Sequence, residues 1–252
     1  MALRRIWISC KRLLLWLLAL SAVCSVALGM MRWQGYLLLP QEADPPAWEV
    51  FGVDVSAYQG RIDWQNLREQ GVDFAFIKAT EGSSLQDRYF ADNWAAAQAA
   101  GVRVGAYHFF SYDSPGETQA DNFLSMVPVT AGALPPVVDI EFYGDKLQNL
   151  PRREDVKAVL DPLLARLEEH YGVKPILYVT YRSYRLYIAG RDYRDNPLWF
   201  SSPVVSPIGK GWDFWQYSHS ASLTGYSGPE ACIDLNVFRG SMEEFRRFGC
   251  PD

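Results

Sequence analysis

Two carboxylates at i and i+2 close an apolar run, Pro135-Pro136-Val137-Val138-Asp139-Ile140-Glu141. On a strand such a pair shares one face, with Cα atoms about 6.6 Å apart. Like charges that close push at least one pKa upward, and a carboxyl that keeps its proton near neutral pH can serve as a general acid. Two further acids sit inside apolar strand patterns: Asp54 in Phe51-Gly52-Val53-Asp54-Val55-Ser56, and Asp234 in Ile233-Asp234-Leu235-Asn236-Val237-Phe238. An acid within an apolar strand is costly without partners. Three strands with the same feature point to one shared site, whose candidate catalytic residues are Glu141, Asp139, Asp54 and Asp234. Isolated structural acids are the plainer alternative.

The elements that must position these acids alternate from residue 50 onward. Strand patterns fall at 51–56, 73–80, 103–110, 136–142, 175–180, 198–201, 212–217 and 232–238. Helical patterns fall at 64–69, 89–100, 115–126 and 152–171, the last with Val156, Val159, Leu160, Leu163, Leu164 and Leu167 at helical spacing. Gly71, Gly101 and Gly172 occupy helix C-cap positions. This order predicts an α/β fold, a (β/α)8-type barrel, irregular toward its end because the last three connections lack clear amphipathic helices. Closure makes strands one and eight neighbours and sets Asp54 beside Asp234. Asp139 and Glu141 then face them across the mouth, at the strand ends where barrel chemistry belongs.

The chain has 252 residues, 49% of them hydrophobic and 14% aromatic, enough for one sizeable core and for rings that could stack on sugars. A net charge of −5 argues against nucleic acid as a partner. Three His and four Cys, none at metal-ligand spacing, argue against a zinc site, and no cofactor is expected. Residues 13–31 carry no charge and would form a helix about 28 Å long, close to the hydrocarbon thickness of a bilayer. Arg4, Arg5, Lys11 and Arg12 precede it, so residues 1–12 are expected in the cytoplasm, with a linker at 32–49 and the barrel at 50–252 outside. The competing expectation is a signal peptide cut after Ser25-Val26-Ala27, which would release the protein. Export leaves Cys232 and Cys250 in an oxidising compartment, either as a disulfide or as two thiols.

Tyr107, Tyr178, Trp215 and Tyr217 are the candidate sugar-binding rings, with core aromatics as the alternative. His108 ends an apolar strand and is expected to be a hydrogen-bonded core residue. Lys78 in its apolar strand requires an acidic partner if buried.

Six segments carry a resemblance: Gly52-Val53-Asp54-Val55-Ser56 with Gln59-Gly60, Phe74 to Gly82, Gly105-Ala106-Tyr107-His108-Phe109, Asp139-x-Glu141, Trp215-Gln216-Tyr217, and Asp234-Leu235-Asn236-Val237-Phe238. Their order and spacing are similar to those of the family-25 glycoside hydrolases, the Chalaropsis-type lysozymes or N-acetylmuramidases, over roughly residues 50–241. The resemblance implies hydrolysis of the β-1,4 bond between N-acetylmuramic acid and N-acetylglucosamine in peptidoglycan, by a monomer. Glu141 resembles the family's general acid, Asp139 the partner that steadies the acetamido group or the developing cation, and Asp54 and Asp234 its other active-site acids. It implies retention through the substrate's own acetamido group. Leu198-Trp199-Phe200-Ser201-Ser202-Pro203 departs from the family's Trp-x-Ala-x-Tyr pattern, keeping the Trp and losing the Ala and Tyr. Other readings left open are a glycan-binding barrel without turnover and a lytic transglycosylase.

Overall fold

The computed structural model describes residues 16–27, 29, 48–190, 192–203, 207 and 211–249. The chain divides into two compact units, Met1–Pro40 and Gln41–Asp252. In the first, residues 16–27 are helical. No helix among the described residues is long and apolar enough to cross a membrane. The remainder of the predicted span at 13–31, residue 29 apart, lies outside the described residues.

The second unit is a closed barrel. Its strands are β1 (Val50–Val55), β2 (Phe74–Glu81), β4 (Arg103–Phe109), β5 (Val137–Ile140), β6 (Ile176–Thr180), β7 (Leu198–Ser201), β8 (Phe214–Ala221) and β9 (Ile233–Phe238), with a two-residue strand β3 (Leu85–Gln86) appended to the end of β2. Pairing of β1 with both β2 and β9 closes the ring. Four helices follow the early strands: α1 (Trp64–Glu69), α2 (Phe90–Ala99), α3 (Gly116–Met126) and α4 (Arg153–Tyr171), each within a residue of its sequence pattern. The stop of α4 has a local cause. Gly172 adopts φ 71° and its N–H returns to the Glu168 carbonyl at 2.9 Å.

The expected topology needs one correction. β9 runs antiparallel to both β8 and β1. In an all-parallel barrel Asp234, the second residue of its strand, would lie at the base. Reversal brings it to the mouth, where it pairs directly with Asp54. An antiparallel return needs no crossover helix, which explains the missing amphipathic signal before this strand.

Alternation along each strand divides the side chains into two layers. Outward residues such as Val53, Val55, Ile77, Val138, Ile140 and Val179 pack under the helices. Inward strand residues at the base form an aromatic plug, Phe74, Phe76, Trp199, Phe214 and Phe238, which Phe245 joins from outside the strands, with Phe76 stacked on Trp199 at 4.4 Å. Two strand glycines make room for it. Gly52 pairs with Phe74 and Gly105 with Phe76. A Cβ at these glycines would meet the opposing ring at 2.5 and 2.7 Å.

Of the disulfide and the two thiols left open for Cys232 and Cys250, only the Cys232 end lies among the described residues. Cys232 is a half-buried free thiol just ahead of β9, at the mouth. Cys250 lies outside the described residues.

Candidate active site

Above the aromatic plug the inward positions turn polar. Asp54, Lys78, Tyr107, Asp139, Tyr178, Gln216 and Asp234, one from each of seven strands, line a cleft of about 290 Å³ together with Glu141. Asp139 and Glu141 share the inward face as their spacing requires, Glu141 just beyond the end of β5. The four acids converge on one space.

Hydrogen bonds order this layer. The Gln216 side-chain amide donates to Asp54 Oδ2 at 2.8 Å and to Asp234 Oδ2 at 2.9 Å. Its oxygen accepts the Tyr178 hydroxyl at 2.7 Å. Asn236 donates to the same Asp54 oxygen at 2.7 Å and is itself held by the Trp199 indole N–H at 2.8 Å. His219 Nδ1 lies 3.4 Å from Asp234 Oδ2. Lys78 pairs with Glu81 at 2.7 Å, the acidic partner its burial demanded. Asp139 is 6% exposed, and its buried Oδ1 has no hydrogen-bond partner among the described residues.

Burial and crowding of like charge keep protons in the cleft. Burial, then the charge of Asp234, pushes Asp54 up to about 8 against the hydrogen bonds from Asn236 and Gln216. Burial, then Glu141, holds Asp139 well above the usual carboxylate range, with Lys78 opposing. Glu141 is raised by burial against the pull of His219. His219 itself is raised: burial works against its charge, but Asp234, Asp54 and Glu141 together outweigh it. A cleft that retains a carboxyl proton near neutrality suits proton donation to a leaving group. Among the described residues no group of three or more His, Cys, Asp and Glu is arranged to hold a metal ion.

A family profile described as "Glycosyl hydrolases family 25" matches residues 53–226. The chain belongs to glycosyl hydrolase family 25. A solved family 25 glycosyl hydrolase from Bacillus anthracis is 48% identical and superposes with a TM-score of 0.78, covering 84% of this chain and 99% of that one. A bacterial lysozyme structure from Streptomyces coelicolor is 30% identical, with a TM-score of 0.72 over 81% of this chain and 98% of that one. Lysozyme M1 of Streptomyces globisporus is 32% identical over 209 residues, 76% of this chain and 68% of that protein. The protein is a glycoside hydrolase of the lysozyme and muramidase kind.

The candidate rings divide by strand parity in this hydrolase. Tyr107 and Tyr178 line the cleft. Trp215 and Tyr217 flank Gln216 on β8 and face the other way, into the layer under the helices, where Trp215 donates to the Ser202 carbonyl at 2.8 Å. Their assignment as sugar-binding residues is therefore corrected. His108 is a core residue held between Thr80 at 2.7 Å and Gln119 at 2.9 Å, and burial depresses it to about 4. The altered segment at 198–203 keeps the one ring that matters to the layer, since Trp199 orients Asn236. Gln216, Asn236, His219 and the 63% exposed Tyr58 at the rim were not singled out by sequence reasoning. For Gln216 a signal existed, a polar residue alternating with two aromatics in a strand.

Proposed function

We propose that the protein hydrolyses the β-1,4 bond between N-acetylmuramic acid and N-acetylglucosamine in peptidoglycan, with Glu141 as general acid. The observation that carries this reading is the pair Asp139 and Glu141, aimed from one strand face into a cleft that raises both. Protonated Glu141 gives its proton to the leaving glycosidic oxygen. Asp139, whose Oδ1 is buried and without a partner among the described residues, accepts the N–H of the substrate acetamido group and orients its carbonyl oxygen toward the anomeric carbon. That oxygen displaces the leaving group, and water then opens the cyclic intermediate with the Glu141 carboxylate as base. Two inversions give net retention. Asp54 and Asp234 face the developing positive charge. The names of the lysozyme relatives support the substrate class.

The test is purified protein on peptidoglycan, with mass spectrometry of the new ends. Hydrolysis gives reducing muramic acid ends that accept borohydride; anhydro ends would make the protein a transglycosylase, and binding without cleavage a glycan-binding barrel. Glu141→Gln is expected to lose 10²–10⁴-fold in turnover while still binding glycan, the range of general acid–base help. Near-wild-type activity in that variant would remove Glu141 from its role.

We propose further that the protein is anchored in the cytoplasmic membrane by residues 13–31 as a single-pass chain, with the barrel on the extracytoplasmic side. The uncharged run and its preceding basic residues support this. Resistance of the full-length protein to carbonate extraction is the expected result; a soluble form beginning at Leu28 would replace the anchor with a cleaved signal peptide.

A further inference from the structure

The loop after β1 is fixed by more bonds than its length suggests. The buried Gln59 side chain accepts the Ser56 N–H at 3.0 Å, and donates to Glu230 Oε2 at 3.2 Å and to the Cys232 carbonyl at 3.1 Å. Buried Asp87 accepts the Ala57 N–H at 2.7 Å, and buried Asn93 donates to the Gly60 carbonyl at 3.1 Å. The chain at 228–230 lies directly on the loop. Gly228 N–H reaches the Gln59 carbonyl at 3.0 Å and Glu230 N–H the Tyr58 carbonyl at 3.1 Å. A Cβ on Gly228 would stand 2.0 Å from that Tyr58 oxygen. Buried polar side chains are costly unless their bonds are made, and here three of them serve five residues, 56–60.

None of these bonds involves the Tyr58 ring. It stands 63% exposed on the cleft wall, where Glu230 also lines the space. A single exposed ring is ordinary on a protein surface. A ring on a rigid loop at the rim of an acidic cleft is pre-organised for contact. Its place in the barrel says which contact. Between β1 and β5, which bears Asp139 and leads to Glu141, stand β2 and β4 on one side and four strands on the other. Tyr58 therefore faces the catalytic pair from across the mouth, where a chain lying over the cleft leaves it.

We propose that Tyr58 is a platform on which an N-acetylhexosamine ring of the glycan stacks, beyond the two sugars joined by the scissile bond. The inference rests on the peptidoglycan reading above and adds a preference for longer glycan to it. The C–H face of a pyranose is apolar, and covering it with an aromatic ring removes both from water. The Glu230 carboxylate, at the same rim, is placed to accept an N–H or hydroxyl of that sugar. Because the loop is already fixed, stacking orders no backbone on binding. A flat ring needs no charged group on its ligand, so the contact reads the sugar and not the stem peptide.

The test is kcat/KM for peptidoglycan glycan fragments of two, four, six and eight sugars, with the full-length wild type and Tyr58→Ala. The loss in Tyr58→Ala is expected to grow with length, to about tenfold on the eight-sugar fragment, and to fall on KM rather than kcat. Tyr58→Phe and Tyr58→Trp are expected to restore the wild-type value, since the ring and not the hydroxyl makes the contact. The melting temperature is expected to hold, because no bond of the loop passes through the ring. A loss equal at every length, no loss at any, or failure of both aromatic variants to rescue would overturn the proposal. A lowered melting temperature with a fall in kcat would reduce Tyr58 to a structural part of the loop and overturn it too. Calorimetric binding of the eight-sugar fragment to Glu141→Gln, with and without Tyr58→Ala, reads the ring apart from turnover. Equal binding by the two chains brings down the platform, whereas a wild type that cleaves no fragment brings down the proposed function.

Discussion

Asp54 shows what the site costs the fold. Its half-buried carboxyl lies opposite Asp234 in the closing strand pair, and desolvation and then that neighbouring charge push it up to about 8 from an ordinary 3.8. A raised acid binds its proton more tightly when folded, so between about 4 and about 8 the native state holds more proton than the unfolded chain. Stability from this group is therefore present at acid pH and declines as pH rises through that window. Asp54→Asn is expected to flatten the decline and to raise the melting temperature at pH 8, at the expense of activity, a trade common to active-site residues. Thermal melts at pH 5 and pH 8 check this; equal pH slopes for wild type and variant would contradict it. All four acids were legible in the sequence, because a carboxylate in an apolar strand advertises its own cost. Gln216 showed only as a polar residue between two aromatics and Asn236 less still, because a neutral amide carries no such penalty once paired and its importance lies in its partners.

At the scale of elements, the barrel's interior is fitted by pairing absence with bulk. Gly105 lies opposite Phe76, and an added Cβ would meet the ring at 2.7 and 2.8 Å and Leu134 Cβ at 3.0 Å. Gly105→Ala is expected to destabilise by about 1–3 kcal/mol, the usual range for overpacking, despite the entropic gain of replacing glycine. Phe76→Leu in the same chain should recover part of the loss, and denaturant melts of the single and double variants measure the coupling. Additive losses would show that the two side chains do not compete for space. The eight barrel strands and four helices were readable from periodicity and cap residues. The direction of β9 was not, because alternation along a strand is the same read either way. Only the missing crossover helix before it hinted at reversal. The short strand β3, two residues paired to the end of β2, was too brief to leave any pattern.

For the molecule as a whole, the last described helix is fastened to the base of the barrel by an arginine. Arg103 opens β4 and donates to the Gly132 carbonyl at 2.6 Å and to the carbonyls of Phe245 and Phe248. Its guanidinium also lies 5.0 Å from the centre of the Phe245 ring. These contacts hold helix α5 (Met242–Arg247) under the aromatic plug, where Phe245 seals the interior beside Phe74 and Phe238. Removing the guanidinium strips donors from partly buried carbonyls, and hydrogen bonds to a charged donor are worth about 1.5–3 kcal/mol each before the coupling among them is counted. Arg103→Met is therefore expected to lower stability by about 2–4 kcal/mol. Reductant is expected to leave the melting temperature unchanged, since Cys232 at the mouth has no bridge to lose. A thiol count on the native protein completes the comparison. A melt lowered by reductant, with Arg103→Met near neutral, would return the fastening to a disulfide and require the chain after Gly249 to reach the mouth.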